Sequence, residues 1–100
     1  MKSRTYVISS NAVSDLEEIW LYTMDKWSVE QADRYYNLIF DEINYICTNE
    51  NAGKSMDHVR KGYRASKVKS QLIFYRISNN LVEIIRILHE RMDIENRLSE

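Results

Sequence analysis

The side chains of this chain that could do chemistry are few, and most of their spacings fit no known constellation. Gly53-Lys54-Ser55 resembles the end of a phosphate-binding loop, but that loop needs a second glycine at position 48, where Thr48 stands. It also needs a preceding strand, and a helical pattern precedes it here. Gly53 is therefore expected to punctuate a loop. His58 and His89 have no Cys, Asp or His partner at a zinc-ligand spacing. Cys47, beside Ile46 on the apolar side of a helical pattern, is expected to be a small buried thiol. No Ser–His–acid arrangement stands out. Three arginines remain. Arg64, Arg76 and Arg86 each fall in a different strand-like segment, and Arg86 shares a face with Ile84 and Leu88. A guanidinium there must either face water and a ligand or be paired, with Glu83, Asp93 or a helix acid. If helices cover one sheet face, the other could gather some of these charges in a shallow basic cleft. Alternation alone leaves open which of the three share a face.

The elements that must position these groups are legible as a strand, two helices and a meander. Tyr6-Val7-Ile8 marks a short strand within Arg4 to Ser9. Ser9, Ser10 or Asn11 can cap a helix whose apolar face is Ala12, Leu16, Ile19, Trp20, Thr23 and Trp27. Trp20 and Trp27 are expected on its inner or flanking side. Ser28-Val29-Glu30-Gln31 is a capping box opening a second helix. Its stripe is Val29, Ala32, Tyr36, Ile39, Ile43 and Ile46, and its end falls near Asn49 or Asn51. Tyr35 and Tyr36 diverge by roughly 100° around that helix, so one of them is expected in solvent. Gly62 to Lys67 is a weak strand suited to a sheet edge. Gln71 to Ile77 and Leu81 to Leu88 are strong central strands, joined at Ser78-Asn79-Asn80 into a hairpin. Asp93 to Glu100 is polar and is expected to fray. The fold class is α+β: an N-terminal strand, an α-helical hairpin, then a three-stranded antiparallel meander, in one two-layer domain over residues 1–100.

Composition narrows the classes. A chain of 100 residues with 44% apolar and 29% charged residues is one globular domain with a modest core. One cysteine excludes a disulfide framework, and no apolar run approaches the roughly 20 residues of a membrane helix. A reduced, cytoplasmic protein is expected, with no membrane association, cofactor or metal. Net charge is −1, yet residues 12–50 carry nine acids against two bases, and residues 54–76 carry seven bases against one acid. Either the second segment meets an acidic partner such as nucleic acid or an acidic protein surface, or the two segments neutralise each other.

A set of motifs resembles the ParE toxins of the RelE/ParE superfamily. They are Tyr6-(x)5-Ala12-(x)2-Asp15-Leu16-(x)2-Ile19, Tyr22-(x)4-Trp27, Gly62-Tyr63-Arg64, Ile73-Phe74-Tyr75-Arg76 and Glu83-Ile84-Ile85-Arg86-Ile87-Leu88-His89-(x)-Arg91-Met92-Asp93. They run from Tyr6 to Asp93, about nine tenths of the chain, and the closing motif from Ile87 is the most specific. The resemblance implies the same fold, with the last strand returning beside the first. It also implies a bacterial, plasmid-stabilisation type of toxin that inhibits DNA gyrase by binding. A ParD-like antitoxin would neutralise it, and operator DNA would be reached only through that antitoxin. RelE-like ribosome-dependent mRNA endonucleases are the alternative. They use several cations on an open sheet face, usually with a Tyr or His near the C-terminus; this chain has no tyrosine after Tyr75, and its His89 falls within the ParE-like closing motif and so does not favour the nuclease. No catalytic residue is therefore assigned. Lys61, Arg64, His89, Arg91 and Met92 are the expected target contacts. Trp20, Trp27, Arg64 and Lys67 are the expected antitoxin contacts, the two bases suiting an acidic peptide at a sheet edge.

Overall fold

A computed structural model describes residues 4–49 and 51–98. Strand β1 (Thr5–Ile8) leads into α1 (Ser10–Lys26), which is joined by a two-residue turn to α2 (Val29–Thr48). The β-strands that follow are β2 (Lys54–Ser55), β3 (Arg64–Val68), β4 (Gln71–Ser78) and β5 (Leu81–His89), and a short α3 (Ile94–Leu98) closes the described chain. Sheet order is β1-β5-β4-β3-β2, with β1 parallel to β5 and the other pairs antiparallel. The two strongly apolar strands are interior, as residues buried on both faces require.

Caps fix both long helices. The Ser9 hydroxyl accepts from the Ala12 N–H at 3.0 Å, and Ser28 accepts from Gln31 N–H at 3.0 Å. Ser9 also donates its hydroxyl proton to the Ile85 carbonyl at 2.7 Å. That bond explains how α1 meets the sheet. β1 pairs with β5 only as far as Ile84, and the start of α1 then takes over the same edge. The buried face of α1 is Ala12, Asp15, Leu16 and Thr23, and that of α2 is Ala32, Ile39, Ile43, Ile46 and Cys47. Ala12 and Leu16 of α1 and Ile39, Ile43, Ile46 and Cys47 of α2 form the main core with Ile73, Tyr75, Val82, Ile84 and Ile87 of the sheet. Of the tyrosine pair, Tyr36 is exposed and Tyr35 half-buried. Val29 is exposed as well, so the buried stripe of α2 narrows toward the hairpin turn.

Four expectations change. Trp27 is 76% exposed, because it ends α1 at the turn and its side chain leaves the helix face. The weak β3 is covered at Arg64 and Ala65 by β2, so only its second half is an edge. The expected frayed tail contains α3, whose Leu98 is 4% exposed; residues 99 and 100 lie outside the described residues. Finally, the second sheet face holds its own core, with Tyr63, Ala65, Phe74, Leu88 and Leu98 buried together and Met56, Val59 and Ile94 packed around them. An apolar cover, not a basic cleft, occupies that face.

Candidate functional site: a groove between the hairpin and the sheet

The three strand arginines are dispersed. Cross-strand pairing sets Arg86 opposite Phe74, with Arg76 two residues further along β4, so these two belong to the second face. Arg64 lies opposite Tyr75 and belongs to the helix side. Each is engaged. Arg76 pairs with Glu83 at 2.9 Å, and Arg64 donates through Nη2 to the Gly53 carbonyl. Arg86 is 9% exposed and reaches around the β5 edge to Asp15 of α1, which is 7% exposed. Its Nε donates to Asp15 Oδ2 at 2.8 Å and its Nη2 to Oδ1 at 2.9 Å. The same carboxylate accepts the Ile87 N–H at 3.0 Å. Asp15 thus supplies the acceptor that β1 is too short to supply, and balances a buried cation with two parallel bonds. Of the two open readings for Arg86, pairing with a helix acid is the one realised.

The basic 54–76 segment is also largely spent within the fold, though not on the helix acids. Lys67 pairs with Glu90 at 2.8 Å. The hydrogen bond from that ammonium, ahead of its charge, holds the Glu90 carboxyl below its ordinary value of 4.5. Arg60 donates to the Leu98 carbonyl at 3.4 Å and stacks over Tyr63. Lys54 and Ser55 form a strand rather than opening a helix, which removes the phosphate-loop reading. A Cβ on Gly53 would lie 2.3 Å from the Ala65 carbonyl oxygen, so close strand approach is what glycine serves there. Cys47 is buried, and loss of hydration pushes its thiol pKa up, against the smaller opposing pull of Arg4. Among the described residues, no group of three His, Cys, Asp or Glu side chains is placed to hold a metal ion, and no helix is long and apolar enough to cross a membrane.

What the fold does assemble is a groove of about 740 Å³ on the helix side. Glu18, Ile19, Tyr22 and Thr23 of α1 form one wall, with Trp27 at the turn. Gln31 and Tyr35 of α2, then Ser70, Gln71, Ile87 and His89 of the sheet, complete it, with Met92 at the rim. Tyr35 braces the floor, since its hydroxyl accepts the Ser70 N–H at 3.3 Å. His89 Nδ1 accepts the Arg91 N–H at 3.1 Å, and the Met92 N–H donates to the His89 carbonyl at 3.0 Å. Those two bonds fold the turn that brings Met92 to the groove. Tyr22, Trp27 and Met92 are 64%, 76% and 39% exposed. Three apolar side chains left in water around one depression have the character of a contact surface.

Of the residues singled out in the sequence, the groove gathers Trp27, His89 and Met92, which had been divided between two separate partners. Arg91 lies exposed in the adjoining turn. Trp20 sits outside the lining, on the seam between the helices, where its indole N–H donates to Asp33 at 3.0 Å. Lys61, Arg64 and Lys67 are not brought to the groove. Glu18, Ile19, Tyr35 and Ser70 line it without having been singled out. The spacing Asp15, Glu18, Ile19, Tyr22 held the signal, since it continues the apolar face of α1 past the point where the sheet can cover it.

A five-stranded sheet, a helical hairpin on one face and an open apolar groove beside the hairpin define a small α+β domain with a ready contact surface. The family model for the ParE toxin of the type II toxin–antitoxin system, parDE, matches residues 6–94. The chain is 37% identical to Toxin ParE1 of Mycobacterium tuberculosis over 98% of its own length and all of that protein. It is 36% identical to Toxin ParE1 of Caulobacter vibrioides, covering 95% of this chain and 98% of the relative. Toxin ParE of Escherichia coli is 27% identical over 95% of this chain. Among solved structures, the chromosomal ParDE toxin–antitoxin system of P. aeruginosa superposes with a TM-score of 0.73 at 18% identity, covering 87% of this chain and 95% of that one. The RelBE2 toxin–antitoxin complex of Mycobacterium tuberculosis gives 0.64 at 18%, covering 88% and 99%. This chain belongs to the ParE toxin family of type II toxin–antitoxin systems.

Proposed function

We propose that this toxin acts by binding DNA gyrase and that a ParD-like antitoxin neutralises it by seating a segment in the groove. The observation that carries the binding reading is the engagement of the strand arginines: Arg86 by Asp15, Arg76 by Glu83, Arg64 by the Gly53 carbonyl. Cutting RNA through its own 2′-hydroxyl needs cations free to meet a phosphate whose charge rises in the transition state. Guanidiniums already held by carboxylates and a carbonyl are poorly suited to that work. A binder needs only a surface with different affinity for two states of its target. Arg91 and Met92 are exposed in the turn that follows the half-buried His89, and these three with Lys61 and Arg64 are the proposed target contacts. Trp27, together with Tyr22 and Met92 of the groove, is the proposed antitoxin contact. Lys67 and Arg64 are proposed for the antitoxin's extended part along the half-open β3 edge, and Trp20 for the flank of the helix pair. Operator DNA is reached only through the antitoxin.

Purified gyrase decides between the readings. Supercoiling should fall and cleaved DNA should accumulate when the toxin is added, while primer extension on messages from induced cells shows no new ends. Unchanged gyrase activity together with discrete cuts in translated messages would replace the binding reading with the nuclease.

A further inference from the structure

We propose that the groove selects its occupant by charge and that Glu18 performs the selection. The occupant is an amphipathic helix that lays apolar side chains against Ile19 and Ile87 and an arginine or lysine against the Glu18 carboxylate. This rests on the reading that the groove takes an antitoxin segment, and it gives that segment the opposite charge from the extended part proposed for the β3 edge.

The lining contains two carboxylates, Asp15 and Glu18, and no lysine or arginine. Asp15 is committed: Oδ1 accepts from Arg86, and Oδ2 accepts from Arg86 and the Ile87 N–H. Glu18 stands one turn further along α1, exposed, and its carboxylate has neither a hydrogen bond nor an ion pair among the described residues. Two cations lie near the rim. Lys26 sits over the Tyr22 ring, 5.9 Å from its centroid, and Arg91 is exposed in the turn after His89. Neither lines the groove. A carboxylate brought in by a partner would therefore meet Glu18 with no lysine or arginine in the lining to offset it. An arginine would pair with Glu18 and could lay its guanidinium along the exposed Tyr22 or Trp27 ring. Like charges set together cost affinity and exclude wrong partners, while opposite charges fix register and hasten encounter.

Two blocked designed peptides test this, each an amphipathic helix with the same leucine stripe. One carries arginine, the other glutamate, at every polar position flanking the stripe, so the result does not depend on register. Calorimetric titration of the whole toxin should give about tenfold tighter binding for the arginine peptide, the scale expected when one solvent-rimmed pair changes from repulsive to attractive. Glu18→Arg should abolish or invert that preference. Glu17→Arg, the same change of net charge at an exposed position outside the lining, should leave it intact. Equal binding of both peptides would overturn charge selection while leaving the groove reading standing. Loss of the preference in both variants alike would overturn the assignment to Glu18. Binding of neither peptide would overturn the groove reading and this inference with it.

Discussion

Arg86 and Asp15 are separated by 71 positions in the chain and joined by two hydrogen bonds in a buried setting. Removing the carboxylate takes two charge-assisted hydrogen bonds from a buried guanidinium, so Asp15→Ala should lower unfolding free energy by about 3–5 kcal/mol. Arg86→Met should cost less, because the Asp15 carboxyl group can still accept the Ile87 N–H. The double variant Asp15→Ala/Arg86→Met should be more stable than Asp15→Ala alone, since it removes the buried cation that has lost its carboxylate. Urea denaturation of the three proteins gives the coupling directly. A second carboxylate holds a loop. Asp57 accepts the Gly62 N–H at 2.7 Å, and that bond, with a smaller one from Ser55, lowers its pKa below the ordinary 3.8. A carboxyl whose folded pKa is depressed adds stability above its unfolded value and loses it as pH falls through the folded one. The Gly62 amide should therefore exchange faster as pH drops from 5 toward 2, after correction for intrinsic exchange, and Asp57→Asn should remove that dependence. Asp15 was hidden in the sequence because acids early in a helix are ordinary favourable neighbours of the dipole. The better reading was available: an acid between buried Ala12 and Leu16 on one helix and an arginine inside an apolar strand are each costly alone and cheap together.

Elements with a local cause were legible, and those made by tertiary contact were not. The Ser28 capping box, the 3.6-residue stripe of Ile39, Ile43 and Ile46, and the β-branched runs of β4 and β5 each carry their signal within a few residues. β2 has two residues and no propensity; it exists because Gly53 lets the chain approach Ala65. Gly53→Ala should separate β2 from β3, release Arg64 and Tyr75 from their Gly53 bonds, and cost about 1–3 kcal/mol by the overpacking route. Thermal unfolding and the Gly53 amide shift would report it. α3 was missed because five residues carry no helix signal that survives without packing. Yet Ile94 and Leu98 are spaced four apart behind Asp93, which is the pattern of a one-turn amphipathic helix. The β3–β4 turn holds a disagreement between residue and backbone: Lys69 adopts φ 55°, a left-handed conformation that favours glycine. Lys69→Gly should therefore stabilise the protein by up to about 1 kcal/mol, the left-handed strain relieved exceeding the extra unfolded-chain entropy. A higher urea midpoint with unchanged slope is the expected result, and a lower one would mean that the lysine side chain itself contributes.

At the scale of the molecule, the sheet separates two jobs. Its helix side carries the main core and the groove; its second side is sealed by residues 56–63 and α3. The seal is small and depends on few contacts. Leu98 fills the second core, and two guanidiniums occupy the last carbonyls of α3: Arg86 donates to Arg97 at 3.2 Å and Arg60 to Leu98 at 3.4 Å. Cations at a helix C-terminus meet its negative end, so Arg86 and Arg60 hold α3 against the second sheet face. The same Arg86 grips Asp15 of α1, which ties α1 to α3 through one side chain. Leu98→Ala should thus cost about 2–3 kcal/mol, the price of a buried leucine in a site that can partly collapse. It should also expose Phe74 and Leu88, and dye binding to apolar surface should rise. The groove lies across the sheet from that cavity, so the arginine-flanked peptide should bind Leu98→Ala within about twofold of its affinity for the parent, as distant sites behave independently. A larger loss would mean that the Arg86–Asp15 link transmits the state of the second face to the groove wall, and that the sheet does not insulate its two sides.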